Sequence, residues 1–150
     1  MLAEDQPPTT AARKILIVED DKTSLLALAQ LVQTAGYTVV TAAGSAEAIM
    51  SFELENPDLM LVDINLRGEN VGEPLDGLGL IDWLKYRHPD HPFQYIIVSG
   101  DDLQIYAGRA AATGAFSIVR KPIDPELMLV EIKRAAGDPT IADPPGPTSQ

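Results

Sequence analysis

Four polar clusters in this chain share one placement. Glu19-Asp20-Asp21, Asp63, Ser99-Gly100-Asp101-Asp102 and Arg120-Lys121-Pro122 each close or directly follow a short apolar run. Three carboxylates, Glu19, Asp20 and Asp63, gathered in one crevice would repel one another and raise their own pKa values unless a cation joined them. Oxygen donors without His or Cys select a hard ion, Mg²⁺ above all. The chemistry that uses the whole set is phosphoryl transfer onto a carboxylate. Asp63 is the candidate nucleophile, because the run before it, Leu59-Met60-Leu61-Val62, reads as a strand buried on both faces. An acyl phosphate there gains up to about two negative charges, which Mg²⁺ on Glu19 and Asp20 and the Lys121 ammonium can offset. Ser99 supplies a hydroxyl for a phosphoryl oxygen, and Gly100 leaves room beside it. Singly, each signal has a plainer reading: an acidic helix cap, a turn, a solvated lysine, a strand-end hydroxyl. Their common position carries the functional one.

The elements that must position these groups follow from periodicity. Strand-like runs occupy 14–18, 37–42, 58–62, 94–99 and 115–119. Helix-period segments lie between and after them, at 22–35, 45–55, 77–87, 102–113 and 125–136. The first places Leu25, Leu28, Leu31, Val32 and Ala35 on one face. The second has Ser45 as its expected N-cap and Ala46, Ile49, Met50 and Leu54 as its apolar face. The third carries Leu80, Ile81 and Leu84, and the last opens on Asp124 as N-cap with Pro125 at the first helical position. Strict alternation predicts a doubly wound α/β fold, a (βα)5 three-layer sandwich around a parallel sheet. Ligands in such sheets bind beyond the carboxyl ends of the strands. Should the first and third strands be neighbours, about 4.8 Å apart, Glu19, Asp20 and Asp63 converge.

The totals exclude several classes. The chain has 150 residues and a formal net charge of -11, the wrong sign for binding a phosphate backbone or an anionic membrane. It has no cysteine, hence no disulfide framework or thiolate metal site. No apolar run approaches the length of about 20 residues that spans a bilayer, and the acidic start MLAEDQPPTT is no signal peptide. A cytoplasmic protein is expected. Pro-rich, core-poor stretches mark 1–12 and 138–150 as disordered tails around a single domain at 13–137.

The motifs ILIVEDD, PDLMLVDINL, DGLGLIDWL, IIVSG and GAFSIVRKPID, in that order, resemble those of response-regulator receiver domains of two-component signalling, over about residues 13–136. The resemblance implies a flavodoxin-like sheet of order 2-1-3-4-5. It also implies phosphorylation of Asp63 by a histidine kinase or histidine phosphotransfer protein. Mg²⁺, for which Mn²⁺ can substitute, would be held by Glu19, Asp20, Asp63 and the main-chain carbonyl of Asn65. Ser99 matches the family's switch hydroxyl and Lys121 its lysine. Asn65 and Asp101 match the positions that tune hydrolysis; both are polar and able to orient water, so a phosphoryl lifetime of minutes is expected.

Two departures qualify this pattern. Ile118 stands where receivers carry the aromatic switch residue, and Phe116 lies two residues earlier. The loop after Asp63 is extended by Gly68 to Leu75 before Asp76-Gly77, either as a tolerated surface insertion or as a partner-contact element. Nothing domain-like follows residue 137, which leads to the expectation of a stand-alone regulator that docks an unknown downstream protein or relays its phosphoryl group. Ile105, Tyr106 and Arg109 are the candidate partner surface. The competing readings are a receiver-like docking module that does not switch and an aspartyl-phosphate phosphatase. The second is disfavoured by Asn65, where such enzymes place a second Asp. GLG at 77–79 is not a nucleotide loop, as it lacks the third glycine and follows the wrong element.

Overall fold

The computed structural model describes residues 13–64, 66, 75–100, 108, 112 and 114–139. Its five strands are β1 (Lys14–Val18), β2 (Thr38–Ala42), β3 (Leu59–Asp63), β4 (Gln94–Ser99) and β5 (Ser117–Arg120). Four helices are described: α1 (Lys22–Thr34), α2 (Ser45–Glu55), α3 (Gly77–Arg87) and α4 (Pro125–Ala136). The segment expected as a helix at 102–113 lies outside the described residues except for Gly108 and Ala112, both helical.

All strand pairs are parallel and the sheet order is β2-β1-β3-β4-β5. The order explains the strand compositions. β3, in the centre, is buried at all five positions, whereas the edge strands β2 and β5 each keep exposed or half-buried residues. Alternate side chains divide the core into two layers. Leu16, Val18, Met60, Val62, Tyr95 and Ile97 pack with Phe52 of α2 and Leu80, Ile81 and Leu84 of α3. Ile15, Ile17, Leu59, Leu61, Ile96, Val98 and Val119 pack on the other face with Leu28 and Val32 of α1 and Met128 and Ile132 of α4.

Several local expectations are corrected. Ser45 is the first residue of α2 and is 1% exposed; Gly44 occupies the N-cap position without a side-chain bond. The buried face of α2 is Ser45, Ala48 and Phe52, and Met50 and Leu54 stand in solvent at 63% and 78% exposure. The aromatic ring sets the helix rotation. Phe52 lies among His88, His91 and Phe93, with centroids 4.9–5.4 Å away, which turns Met50 and Leu54 outward. The last strand is shifted to 117–120, leaving Phe116 before it, packed on the α1–α4 layer with the Arg134 guanidinium 5.6 Å from its ring. The third strand runs one residue further than its apolar run, so Asp63 is its last member.

Aspartates cap the other three helices, Asp124 as its sequence predicts. Asp21 caps α1 through Ser24 N–H, Asp76 caps α3 through Gly79 N–H, and Asp124 caps α4 through Glu126 and Leu127 N–H. Asp138 and Pro139, assigned by composition to the C-terminal tail, are held against the domain. Arg13 N–H donates to the Pro139 carbonyl at 2.7 Å, Arg13 Nε to the Asp138 carbonyl at 3.1 Å and Tyr37 O–H to the Gly137 carbonyl at 2.7 Å.

Candidate phosphoacceptor and metal site

Register brings the acids together. Val18 pairs with Val62, so the next residues, Glu19 and Asp63, leave adjacent strands side by side. Glu19 continues the alternation of Ile15 and Ile17, Asp63 that of Leu59 and Leu61, and Lys121 follows Val119 in the same period; these apolar residues all face the α1–α4 layer. The three groups therefore emerge on one side of the sheet's carboxyl edge. Lys121 Nζ lies 2.9 Å from Glu19 Oε1 and 3.4 Å from Asp63 Oδ2. Glu19, Asp20 and Asp63 each offer a carboxylate oxygen, all within 4.8 Å of one another.

Two of the acids are buried. Glu19 is 3% exposed and Asp63 6%, while Lys121 keeps 28% of its side chain in solvent. Burial pushes the Glu19 carboxyl up to about 7, and the neighbouring Asp63 adds to this; the bonds from Lys121 and from Asp21 N–H pull the other way without prevailing. Burial by itself would lower the Lys121 ammonium, but its bond to Glu19 and the nearby Asp63 charge raise it overall, so it stays protonated. With all three acids ionised, one ammonium leaves two formal negative charges. All the donors are oxygens, which fits a hard divalent cation and gives the site its reason to bind one.

Ser99 and Gly100 reach the same edge from the next strand. Asp63 pairs with Val98, so Ser99 stands one residue beyond it. The Ser99 carbonyl accepts from Lys121 N–H at 2.7 Å. A Cβ on Gly100 would stand 3.9 Å from Lys121 Cδ. Ser99 is fully buried, and its Oγ has no hydrogen-bond partner among the described residues. A buried hydroxyl without a partner costs roughly 1–3 kcal/mol, which a phosphoryl oxygen would recover. Ile118 is on β5 and 36% exposed. The peptide between Lys121 and Pro122 is cis.

The sequence reading missed the part played by Gly77. Its N–H donates to the Ile64 carbonyl at 3.1 Å, and a Cβ there would collide with the Asp63 carbonyl oxygen. The first turn of α3 thus presses on the backbone that carries Asp63. The long loop after Asp63 also leaves and returns at this one point, which is why its length leaves the sheet intact. An Asp-Gly pair opening a helix was the available signal. Asn65, Asp101, Ile105, Tyr106 and Arg109 lie outside the described residues, as does the insertion except for its last residue, Leu75.

Residues 15–133 match the family described as response regulator receiver domain. The chain belongs to this family. Receiver domains are signalling modules rather than turnover enzymes, and the family binds Mg²⁺ at an acidic pocket. The chain is 32% identical to the nitrogen assimilation regulatory protein NtrX of Azorhizobium caulinodans, over 83% of this chain and 26% of that protein. It is 31% identical to the DNA-binding transcriptional regulator NtrC of Escherichia coli K12, over 81% of this chain and 24% of that protein. It therefore spans about a quarter of the length of these relatives. Among solved structures, the receiver domain of NtrX from Brucella abortus superposes with a TM-score of 0.71 at 29% identity, covering 81% of this chain and 97% of that one. A receiver domain from Clostridium thermocellum gives 0.72 at 26% identity, covering 83% and 94%.

Proposed function

We propose that this receiver accepts a phosphoryl group on Asp63 from the phosphohistidine of a histidine kinase or histidine phosphotransfer protein. The observation that carries this reading is the Lys121 ammonium reaching both Glu19 and Asp63 within a cluster of three buried or half-buried carboxylates. Glu19, Asp20 and Asp63 would hold Mg²⁺, or Mn²⁺ in its place, together with the Asn65 carbonyl. The ion supplies charge neutralisation for the transferring group. An Asp63 carboxylate oxygen attacks phosphorus, the P–N bond breaks, and the imidazole nitrogen keeps the electron pair. Lys121 offsets charge on the phosphoryl oxygens, and the Ser99 hydroxyl, without a partner among the described residues, donates to one of them. Gly100 leaves the space, and Asn65 and Asp101 orient the water that later removes the group. The phosphorylated protein signals in the cytoplasm by docking a downstream protein or by relaying the phosphoryl group onward.

The test uses acetyl phosphate with Mg²⁺. Intact mass should rise by one phosphoryl group, and Asp63→Asn should abolish the gain. Labelling that persists in the variant would move the acceptor elsewhere. Ile118 favours one second reading, a docking module that does not switch, because an Ile side chain has no ring to swing between buried and exposed states. Hydrogen exchange along β5 and α4 separates the two: a phosphoryl mimic leaves it unchanged in a module that does not switch.

A further inference from the structure

α2 is apolar on two opposite sides. Ser45, Ala48 and Phe52 form its buried side. Ala46, Met50 and Leu54, each four residues after the last, run up the side turned to solvent. A surface helix ordinarily sets polar residues opposite its buried stripe, and apolar stripes on both sides mark a helix suited to packing on both. Carboxylates border the outer stripe, Glu53 along one flank and Glu47 along the other. The Ala43 N–H donates to Glu47 Oε1 at 2.9 Å, and His88 Nε2 lies 3.0 Å from Glu53 Oε2. Glu55, the third glutamate of a helix without Lys or Arg, is paired with Lys14. The exposed pair Leu127 and Val130 of α4 builds no such stripe, because Arg134 follows on the same face.

We propose that the outer face of α2 docks a cationic amphipathic helix of a partner protein, whatever the state of Asp63. The stripe rises about 12 Å from Ala46 to Leu54, about two turns of a facing helix. Apolar anchors three or four residues apart on that helix would cover Met50 and Leu54. Lys or Arg beside those anchors would meet Glu47 and Glu53, which sets partner choice and orientation. A second copy of this chain would set these glutamates against one another, and an anionic lipid surface would meet the same carboxylates. The face is pre-organised, since Phe52, packed among His88, His91 and Phe93, fixes the rotation of α2. It also lies on the α2–α3 side of the sheet, whereas Glu19, Asp63 and Lys121 emerge on the α1–α4 side. A docked helix and a phosphoryl donor therefore do not compete, and the surface is independent of the phosphoacceptor reading.

The probe is an amidated Leu–Lys amphipathic peptide of about four helical turns, titrated into the isotope-labelled full chain. It should shift the amide signals of Ala46, Met50, Glu53 and Leu54, and bind Asp63→Asn equally well. Met50→Ser combined with Leu54→Ser should weaken binding about tenfold or more. The thermal midpoint should not move, because both side chains stand in solvent. Leu127→Ser combined with Val130→Ser should leave binding as it was. A peptide with Glu in place of Lys, or with the same residues scrambled, should not bind. Shifts centred on Glu19, Asp20 and Asp63, or on α4, would overturn the proposal. So would undiminished binding by the α2 variant, equal binding of either control peptide, or affinity lost in Asp63→Asn. Shifts along α2 that grow with protein concentration alone would assign the face to a second copy and likewise overturn it.

Discussion

Glu19 is the residue whose protonation couples the site to folding. Its ordinary value is 4.5, and burial pushes it up to about 7. Between these values the folded protein keeps a proton that the unfolded chain has released. This contribution to stability is therefore full below about pH 4.5 and lost as pH rises through 7. Without metal, urea unfolding should show about 1–3 kcal/mol less stability from this group at pH 7.5 than at pH 4.5. Glu19→Gln should flatten that slope, and a slope retained by the variant would place its source elsewhere. A cation at the site displaces the same proton, so Mg²⁺ affinity should increase as pH rises through 7. Glu19, Asp63 and Lys121 were all legible in the sequence as strand-end polar groups. The 2.9 Å contact between Lys121 and Glu19 was not, since it spans 102 positions and depends on the order of the sheet.

At the scale of elements, β3 and α3 meet at Gly77, and the site depends on how closely they approach. Gly77→Ala should cost about 1–3 kcal/mol by overpacking and slow phosphorylation as well, because the displaced atom is the main-chain carbonyl of Asp63. Shortening the loop by four residues within 67–74 should change stability by less than about 1 kcal/mol, since its ends already touch. Denaturant midpoints for both variants check the contrast; equal losses would contradict it. Helix positions were legible wherever caps and apolar spacing agreed, as in α4. The rotation of α2 was not. Its sequence offers Ile49, Met50, Phe52 and Leu54 as rival faces, and the packing of Phe52 against His88 and Phe93, far along the chain, decides among them.

Across the whole molecule, the site joins strands from both halves of the chain, so ligand binding and global stability are linked. Mg²⁺ at 100 times its dissociation constant should raise the unfolding free energy by about 2.7 kcal/mol. Asp20→Asn should weaken this effect by removing one of the three carboxylates. A midpoint insensitive to Mg²⁺ would mean that the oxygen cluster binds no ion.

The sequence by itself determined the alternation of elements, the parallel sheet, and the polar residues at its carboxyl edge. These are local properties, set by side-chain period, β-branching and capping within a few residues. The family resemblance added the sheet order 2-1-3-4-5, which the structure contains. Only the tertiary structure decided that Glu19, Asp63 and Lys121 share one face, that Gly77 braces Asp63 from behind, and that Ser99 holds a buried hydroxyl without a partner among the described residues. Those facts depend on strand register and on which helix packs where, and both are settled by contacts between residues far apart in the chain.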